Sequence, residues 1–159
     1  MLNKGLFSNN SDTWETPQDL FDKLNKEFDF TLDVCATKES AKCKNYFTEE
    51  DNALIQDWSN NVCFMNPPYS RIQDEFVKKA KEESDKGAFV ICLLPARTDT
   101  KRFHNYIWDE NSNDYRERVS VRFLKGRLKF GNSKNSAPFP SMIVIFIQRK
   151  NNEKFKHLF

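Results

Sequence analysis

The residues best suited to chemistry are Asn66-Pro67-Pro68-Tyr69, which follow the short apolar run Val62-Cys63-Phe64-Met65. That run reads as a buried strand. Proline cannot donate to a strand ladder, so two in succession end the strand and leave a stiff turn at its carboxyl end. Open α/β sheets place their ligands there. Asn66 brings a side-chain carbonyl that accepts a hydrogen bond. Pro67, held extended by the proline after it, fixes the direction of its own carbonyl. Tyr69 adds a flat ring for stacking. Two rigid acceptors beside an aromatic plate suit a planar ligand that carries an NH2 group. A plain chain reversal is the competing reading, because a tetrapeptide without context is only a hypothesis.

The chemistry matching such a site is transfer to a reluctant nucleophile. The exocyclic amine of adenine is one, because its lone pair is delocalised into the ring. An acceptor on each amine hydrogen favours a pyramidal nitrogen that attacks a methyl sulfonium in line. The acceptors stabilise charge that develops in the transition state, so no strong general base is needed. A base in DNA must leave the duplex to arrive, and an aromatic plate offsets part of the lost stacking.

The elements that must position this turn are legible on both sides of it. Thr16-Pro17 reads as an N-cap followed by a first helical residue, with Leu20, Phe21, Leu24 and Phe28 at helical spacing behind it. Such a start also presents free N–H groups to a carboxylate. Phe30 to Ala36 reads as a strand with Asp33 inside it. A carboxylate there is costly without a partner, so Asp33 either caps the following loop or receives a ligand's cation or donor. No Gly-x-Gly follows, so a dinucleotide fingerprint is absent. Ser40 to Phe47 is Lys-rich and suits a short strand. Asp51 lies in an acidic stretch that is either a solvated loop or a binder of ribose hydroxyls. Asp57 precedes Trp58, which either walls an adenine pocket or packs the core.

Past the turn, Glu75 to Lys86 has the pattern of a charged amphipathic helix stopped by Gly87. Ala88 to Leu94 is a continuous apolar run typical of a central parallel strand, ended by Pro95. A second helix is expected from Ala96 through Trp108, which puts Arg97 on the same rim as Asn66. Val119–Phe123 and Arg127–Phe130 read as a hairpin around Lys125-Gly126, and Met142 to Ile147 as the last buried strand. This order describes one α/β domain, a mostly parallel sheet with helices on both faces, over residues 14–149. Residues 1–13 read as a disordered terminus and 150–159 as a charged tail.

The 159 residues suit one domain with a real core, and 15 phenylalanines enrich it. Lys+Arg number 25 against 23 Asp+Glu, a net charge of +2. Any nucleic-acid footprint is therefore local. The best cluster is Arg122, Lys125, Arg127, Lys129 and Lys134, with Arg97 at the strand rim to guide a flipped nucleotide; a solvated edge hairpin is the alternative. No apolar run has transmembrane length and the first residues lack a signal-peptide core, so the chain reads as soluble and cytoplasmic. The four cysteines form no Cys-x-x-Cys pair, which argues against a zinc site or a disulfide framework; Cys63 and Cys92 read as small core residues.

Several separated pieces together resemble the phage DNA N-6-adenine methyltransferase family: Thr16-Pro17 with Leu20-Phe21, Leu32-Asp33-Val34-Cys35-Ala36, Asn66-Pro67-Pro68-Tyr69-Ser70, Leu94-Pro95-Ala96-Arg97-Thr98-Asp99, Lys125-Gly126-Arg127-Leu128-Lys129-Phe130 and Pro138-Phe139-Pro140-Ser141. The resemblance runs from Trp14 to Ile147. It implies a Rossmann-like fold that uses S-adenosylmethionine and methylates adenine in DNA. By that resemblance Trp14, Thr16 and Pro17 lie at the methionine end of the cofactor, and Asp33, with Cys35 and Ala36, near its amino group. Asp51 and Asp57 are then candidates for ribose and adenine contacts, while Asn66, Pro67, Pro68 and Tyr69 hold the target base. There is no long insert to serve as a recognition domain, so sequence specificity is expected to be short or relaxed. An RNA-adenine or protein-glutamine methyltransferase, and a non-catalytic DNA-binding relative, are the rival readings.

Overall fold

The computed structural model describes residues 14–148 and 157–158. The expected disordered terminus, and the expected charged tail apart from His157 and Leu158, lie outside the described residues. Helix α1 is Gln18–Phe28, followed by β1 Leu32–Asp33, a 3-10 turn Ala53–Ile55, β2 Val62–Met65, α2 Gln73–Lys86 and β3 Phe89–Pro95. A π-helical turn at Phe103–Ile107 leads to β4 Trp108–Asp109, β5 Asp114–Tyr115, β6 Val119–Phe123 and β7 Ser141–Phe146. The main sheet has the order β1-β2-β3-β7-β6, and β4 and β5 form a separate ribbon.

Four of the five strands point the same way, in keeping with a mostly parallel sheet, although only two of the four pairings are parallel. β1, β2 and β3 run parallel, whereas β7 is antiparallel to both β3 and β6. The sheet is therefore mixed. After β3 the chain crosses over to β6, which points the same way as β3 at the sheet edge, and β7 then returns in the opposite direction between them.

Strand periodicity of two assigns the core residues to two faces. Phe64, Phe89, Ile91, Leu93, Ile143 and Ile145 meet Phe21, Leu24 and Phe28 of α1. Cys63, Met65, Val90, Cys92, Val144 and Phe146 meet Phe76, Val77 and Ala80 of α2 on the other side. Helices thus cover both faces, and Cys63 and Cys92 are core residues as expected. Gly87 ends α2 at φ 122, with its N–H donating to the carbonyls of Glu83 and Ser84. No helix among the described residues is long and apolar enough to cross a membrane.

Five expected elements differ. The first strand narrows to Leu32–Asp33, and on its outer edge Asp33 bonds to the 45–47 segment, its N–H donating to the Asn45 carbonyl and its carbonyl accepting from Phe47. That segment supplies a single parallel bridge at Tyr46. The second expected helix shortens to residues 101–107 and is π-helical from Phe103, since Trp108 turns extended and the Arg116 N–H takes the Ile107 carbonyl that a longer helix would use. Arg127–Phe130 is not a strand. β6 pairs instead with β7, and residues 124–140 form an excursion tied down by buried Phe130, Ala137 and Phe139. Thr16 does not cap α1; Pro17 is the N-cap residue and no side-chain bond closes that end.

Candidate active site

β2 ends at Met65 and delivers Asn66-Pro67-Pro68-Tyr69 to the carboxyl ends of the parallel strands. The Asn66 carboxamide is held by its amide nitrogen. Nδ2 donates to the Trp14 carbonyl at 2.6 Å and to Thr16 Oγ1 at 3.0 Å. Both partners accept, so the NH2 end must face them and Oδ1 must face away. Oδ1 is buried and has no hydrogen-bond partner among the described residues. The Thr16 hydroxyl, unavailable as a cap, thus orients the key side chain.

A cavity of about 430 Å³ opens beside this turn. Trp14, Thr16, Asp33, Cys35, Ala36, Asn66, Pro67 and Pro68 all line it, with Val34, Phe47, Phe64 and Phe76 as apolar wall. Its volume falls in the range of small-molecule sites, about 300–1,000 Å³.

Asp33 is only 3% exposed. Its carboxylate accepts from the backbone N–H of Lys42 at 3.0 Å and of Cys35 at 3.3 Å. Burial pushes its pKa up, and the two N–H groups pull it part of the way back. The Lys42 ammonium turns elsewhere, to Gln18 Oε1 at 2.8 Å and Glu15 Oε1 at 3.4 Å. The Asp33 carboxyl is thus buried, bonded by the backbone N–H groups of the loop that follows it and drawn also by the Lys42 charge, a setting that suits an incoming ammonium group. Burial, with the neighbouring Asp33 charge, also raises the pKa of Cys35, which disfavours its thiolate.

Three residues expected to touch the cofactor do not reach the cavity. Asp51 accepts from the Thr48 N–H and hydroxyl at 2.8 and 2.9 Å, so its carboxylate closes its own turn. Asp57 accepts from the Ser59 N–H at 2.8 Å in the same manner. Pro17 sits outside the wall as the N-cap of α1. Trp58 is a core residue, fully buried, with Nε1 donating to the Ala53 carbonyl. The acidic and polar groups that do line this part of the cavity are Glu49, Thr48 and Asn52. Asp51 and Glu49 lie in one acidic run, and only the turn geometry decides which faces inward.

A second cavity, of about 360 Å³, lies on the other side of the tetrapeptide. Trp14 lines both cavities, and Tyr69, Ser70, Gln73, Arg97 and Phe139 line the second. Tyr69 stacks with Trp14 at 6.4 Å between centroids and meets Phe139 edge-on at 5.3 Å. The expected aromatic plate is thus one member of a cage that Phe130 and Phe139 complete. Burial pushes the Tyr69 phenol far above its ordinary range. Those two phenylalanines, with Leu124, Leu128 and Ala137 among the basic and polar residues of the stretch, were the available signal that the 124–140 excursion folds back on the site.

The basic cluster divides. Arg97 lies exposed at the rim of the second cavity, and Lys125, Arg127, Lys129 and Lys134 are exposed on the excursion. Arg122 does not belong with them. Its guanidinium makes two bonds of 2.7 Å to Glu27 and lies over the Phe28 ring, fastening α1 to β6. That bond holds the Glu27 carboxyl down at about 2.

A cavity at the carboxyl ends of parallel strands, with an orphaned acceptor on a proline-stiffened turn, lies where open α/β sheets place their ligands. The sequence identifies the family. Residues 5–157 match the model of the DNA N-6-adenine-methyltransferase (Dam) family, and the chain belongs to that family. A DNA N-6-adenine-methyltransferase of Escherichia phage T1 is 32% identical over 89% of this chain and 64% of its own length. One of Haemophilus phage HP1 is 29% identical over 85% of this chain and 78% of its own. The chain therefore spans less than two thirds of the T1 relative.

Proposed function

We propose that this chain transfers a methyl group from S-adenosylmethionine to the exocyclic amine of adenine in DNA, on a Rossmann-like scaffold, with the target base turned out of the duplex. The observation that carries this reading is the oriented Asn66 carboxamide, whose buried Oδ1 is left without a partner. A buried acceptor without a donor costs about 1–3 kcal/mol, a cost that a bound N–H removes.

The residues of the first cavity fit the cofactor. Asp33 would take its ammonium group, Trp14, Thr16, Cys35 and Ala36 would flank that end, and Thr48, Glu49 and Asn52 offer partners for ribose hydroxyls. When bound it supplies an electrophilic methyl group. Asn66 Oδ1 accepts one amine hydrogen of the base, and the Pro67 carbonyl is the candidate for the other. As the nitrogen loses conjugation with the ring, its hydrogens become more acidic and both bonds strengthen, which lowers the barrier. The aromatic cage of Trp14, Tyr69, Phe130 and Phe139 offers the base a stacking surface and keeps water from the reacting nitrogen. Lys125, Arg127, Lys129 and Lys134 would bind phosphates and Arg97 would steer the displaced nucleotide. Contacts to neighbouring base pairs would be few, so the recognition sequence would be short.

The test offers purified protein, with tritiated cofactor, unmethylated DNA, RNA and denatured protein in parallel. Label in DNA, recovered as N6-methyladenine, is the expected result. Label confined to RNA or to glutamine would replace this reading.

A further inference from the structure

Beyond the rigid acceptor, the polar atoms of the second cavity carry a pattern of their own. Tyr69 OH, Ser70 Oγ and Gln73 Nε2 are all buried without a hydrogen-bond partner among the described residues, and all three residues line this cavity. Gln73 is the most telling. It is the first residue of α2, its own N–H donates to the Ser70 carbonyl at 3.0 Å, and the residue is only 2% exposed. A glutamine at a helix start ordinarily points into water. Here its carboxamide is buried beside an aromatic cage with its donor unused, which is what a ligand acceptor would complete.

We infer that Gln73, with Ser70 beside it, reads the ring nitrogens of the target base and is a specificity-determining residue of the site. This rests on the proposed function. The logic is that of the base edges. In adenine the amine is flanked by two acceptor nitrogens, one on the six-membered ring and N7 on the five-membered ring. In cytosine only one acceptor nitrogen adjoins the amine, and the other neighbour is a carbon. Guanine and thymine present a carbonyl where adenine has its amine, and an acceptor at Asn66 rejects that carbonyl. Asn66 lines the first cavity and Gln73 and Ser70 the second, with Trp14 common to both; a base whose amine reaches Asn66 while its ring lies in the second cavity would meet these two donors, a set that matches adenine more fully than cytosine. Gln73 Nε2 and the Ser70 hydroxyl are those donors. The hydroxyl of Tyr69 is a third polar atom on the same wall, but its ring position is already set by the cage.

The variants Gln73→Met and Ser70→Ala test this. Each removes a buried polar group without adding volume that the cavity must absorb, so neither should lower the melting temperature. Unmethylated genomic DNA is treated with wild type and each variant, and the digested nucleosides are measured for N6-methyladenine and N4-methylcytosine. Cofactor affinity is measured separately by calorimetry. Gln73→Met is expected to methylate adenine about tenfold more slowly, the equivalent of one hydrogen bond removed, with cofactor affinity and melting temperature held. The fraction of N4-methylcytosine should rise in whichever variant no longer has the donor to N7. Turnover within twofold of wild type in both variants, or a loss of rate that tracks a fall in melting temperature or cofactor affinity, overturns the assignment while leaving the proposed function intact. Absence of methylated nucleosides with wild type overturns both.

Discussion

Replacing Asn66 separates two roles that the geometry combines in one side chain. Its Nδ2 ties down the Trp14 carbonyl and the Thr16 hydroxyl at 2.6 and 3.0 Å, and its Oδ1 is offered to the ligand. Asn66→Ala loses both tethers, about 1 kcal/mol each, or about 2 kcal/mol together. For a domain of this size that lowers the melting temperature by roughly 4–8 °C. Removing the unpartnered Oδ1 offsets part of the loss, so the lower end is expected. Because Trp14 and Thr16 line the first cavity, cofactor affinity should also weaken severalfold. The rate of methyl transfer at saturating cofactor should fall much further, about 100- to 1,000-fold, as when one preorganised electrostatic donor or acceptor is removed. Thr16→Val is the control. It removes one tether, leaves Oδ1 in place, and should cost about 1 kcal/mol of stability and less than about tenfold in rate. Single-turnover methylation with thermal melts in parallel measures both. Equal losses of rate in the two variants would mean that Asn66 acts only by holding the Trp14 segment, and the electrostatic reasoning would be refuted.

Other consequences concern the cofactor, pH and salt. Calorimetry should find cofactor binding weakened by about 1.5–3 kcal/mol in Asp33→Ala, less in Asp33→Asn. Glu49→Gln should weaken it measurably and Asp51→Ala should not; the reverse order would restore the ribose role expected for Asp51. The carboxyl of Glu27 is held below its ordinary 4.5, at about 2, chiefly by Arg122. A depressed acid stabilises the fold above its unfolded pKa, and that contribution fades as pH falls toward 2. Arg122→Ala should therefore be less stable by about 1 kcal/mol at pH 7, a value discounted for solvent screening, and equal to wild type near pH 2 in a thermal melt. A difference that persists at pH 2 would assign the loss to packing on Phe28. The double change Arg127→Ala with Lys129→Ala should flatten the dependence of log DNA affinity on log salt by about 0.9 for each duplex phosphate that is no longer neutralised. Arg122→Ala should leave that slope alone; an unchanged slope in the double variant would move the DNA to another surface.

The local elements that could be read in advance were those whose cause lies in a short window. The apolar runs at β2, β3 and β7 announce strands, Gly87 announces the end of α2, and Pro67-Pro68 announces the turn. Asp33 stood out because a carboxylate in an apolar run needs a reason, and its burial in the cavity wall agrees. What stayed hidden depends on residues distant in sequence. The antiparallel return of β7 beside β3 is set by tertiary packing, and the apparent Arg127–Phe130 strand was left without a partner when β6 paired with β7. Arg122 looked like its basic neighbours until Glu27, 95 positions away, met it. Asp51 and Asp57 were each taken by a turn within three residues of themselves. Gln73 carries no signal by composition, because a glutamine at a helix start is ordinary and only its burial is unusual.

The most direct test of the central claim is modification-sensitive sequencing of DNA from a methylation-deficient bacterial host expressing this chain, beside the same host expressing Asn66→Ala. The account predicts N6-methyladenine at a short recurring sequence in the first culture and its loss in the second, with both proteins present in folded form. Equal N6-methyladenine in both cultures, or none in either while the folded protein binds S-adenosylmethionine, would contradict it.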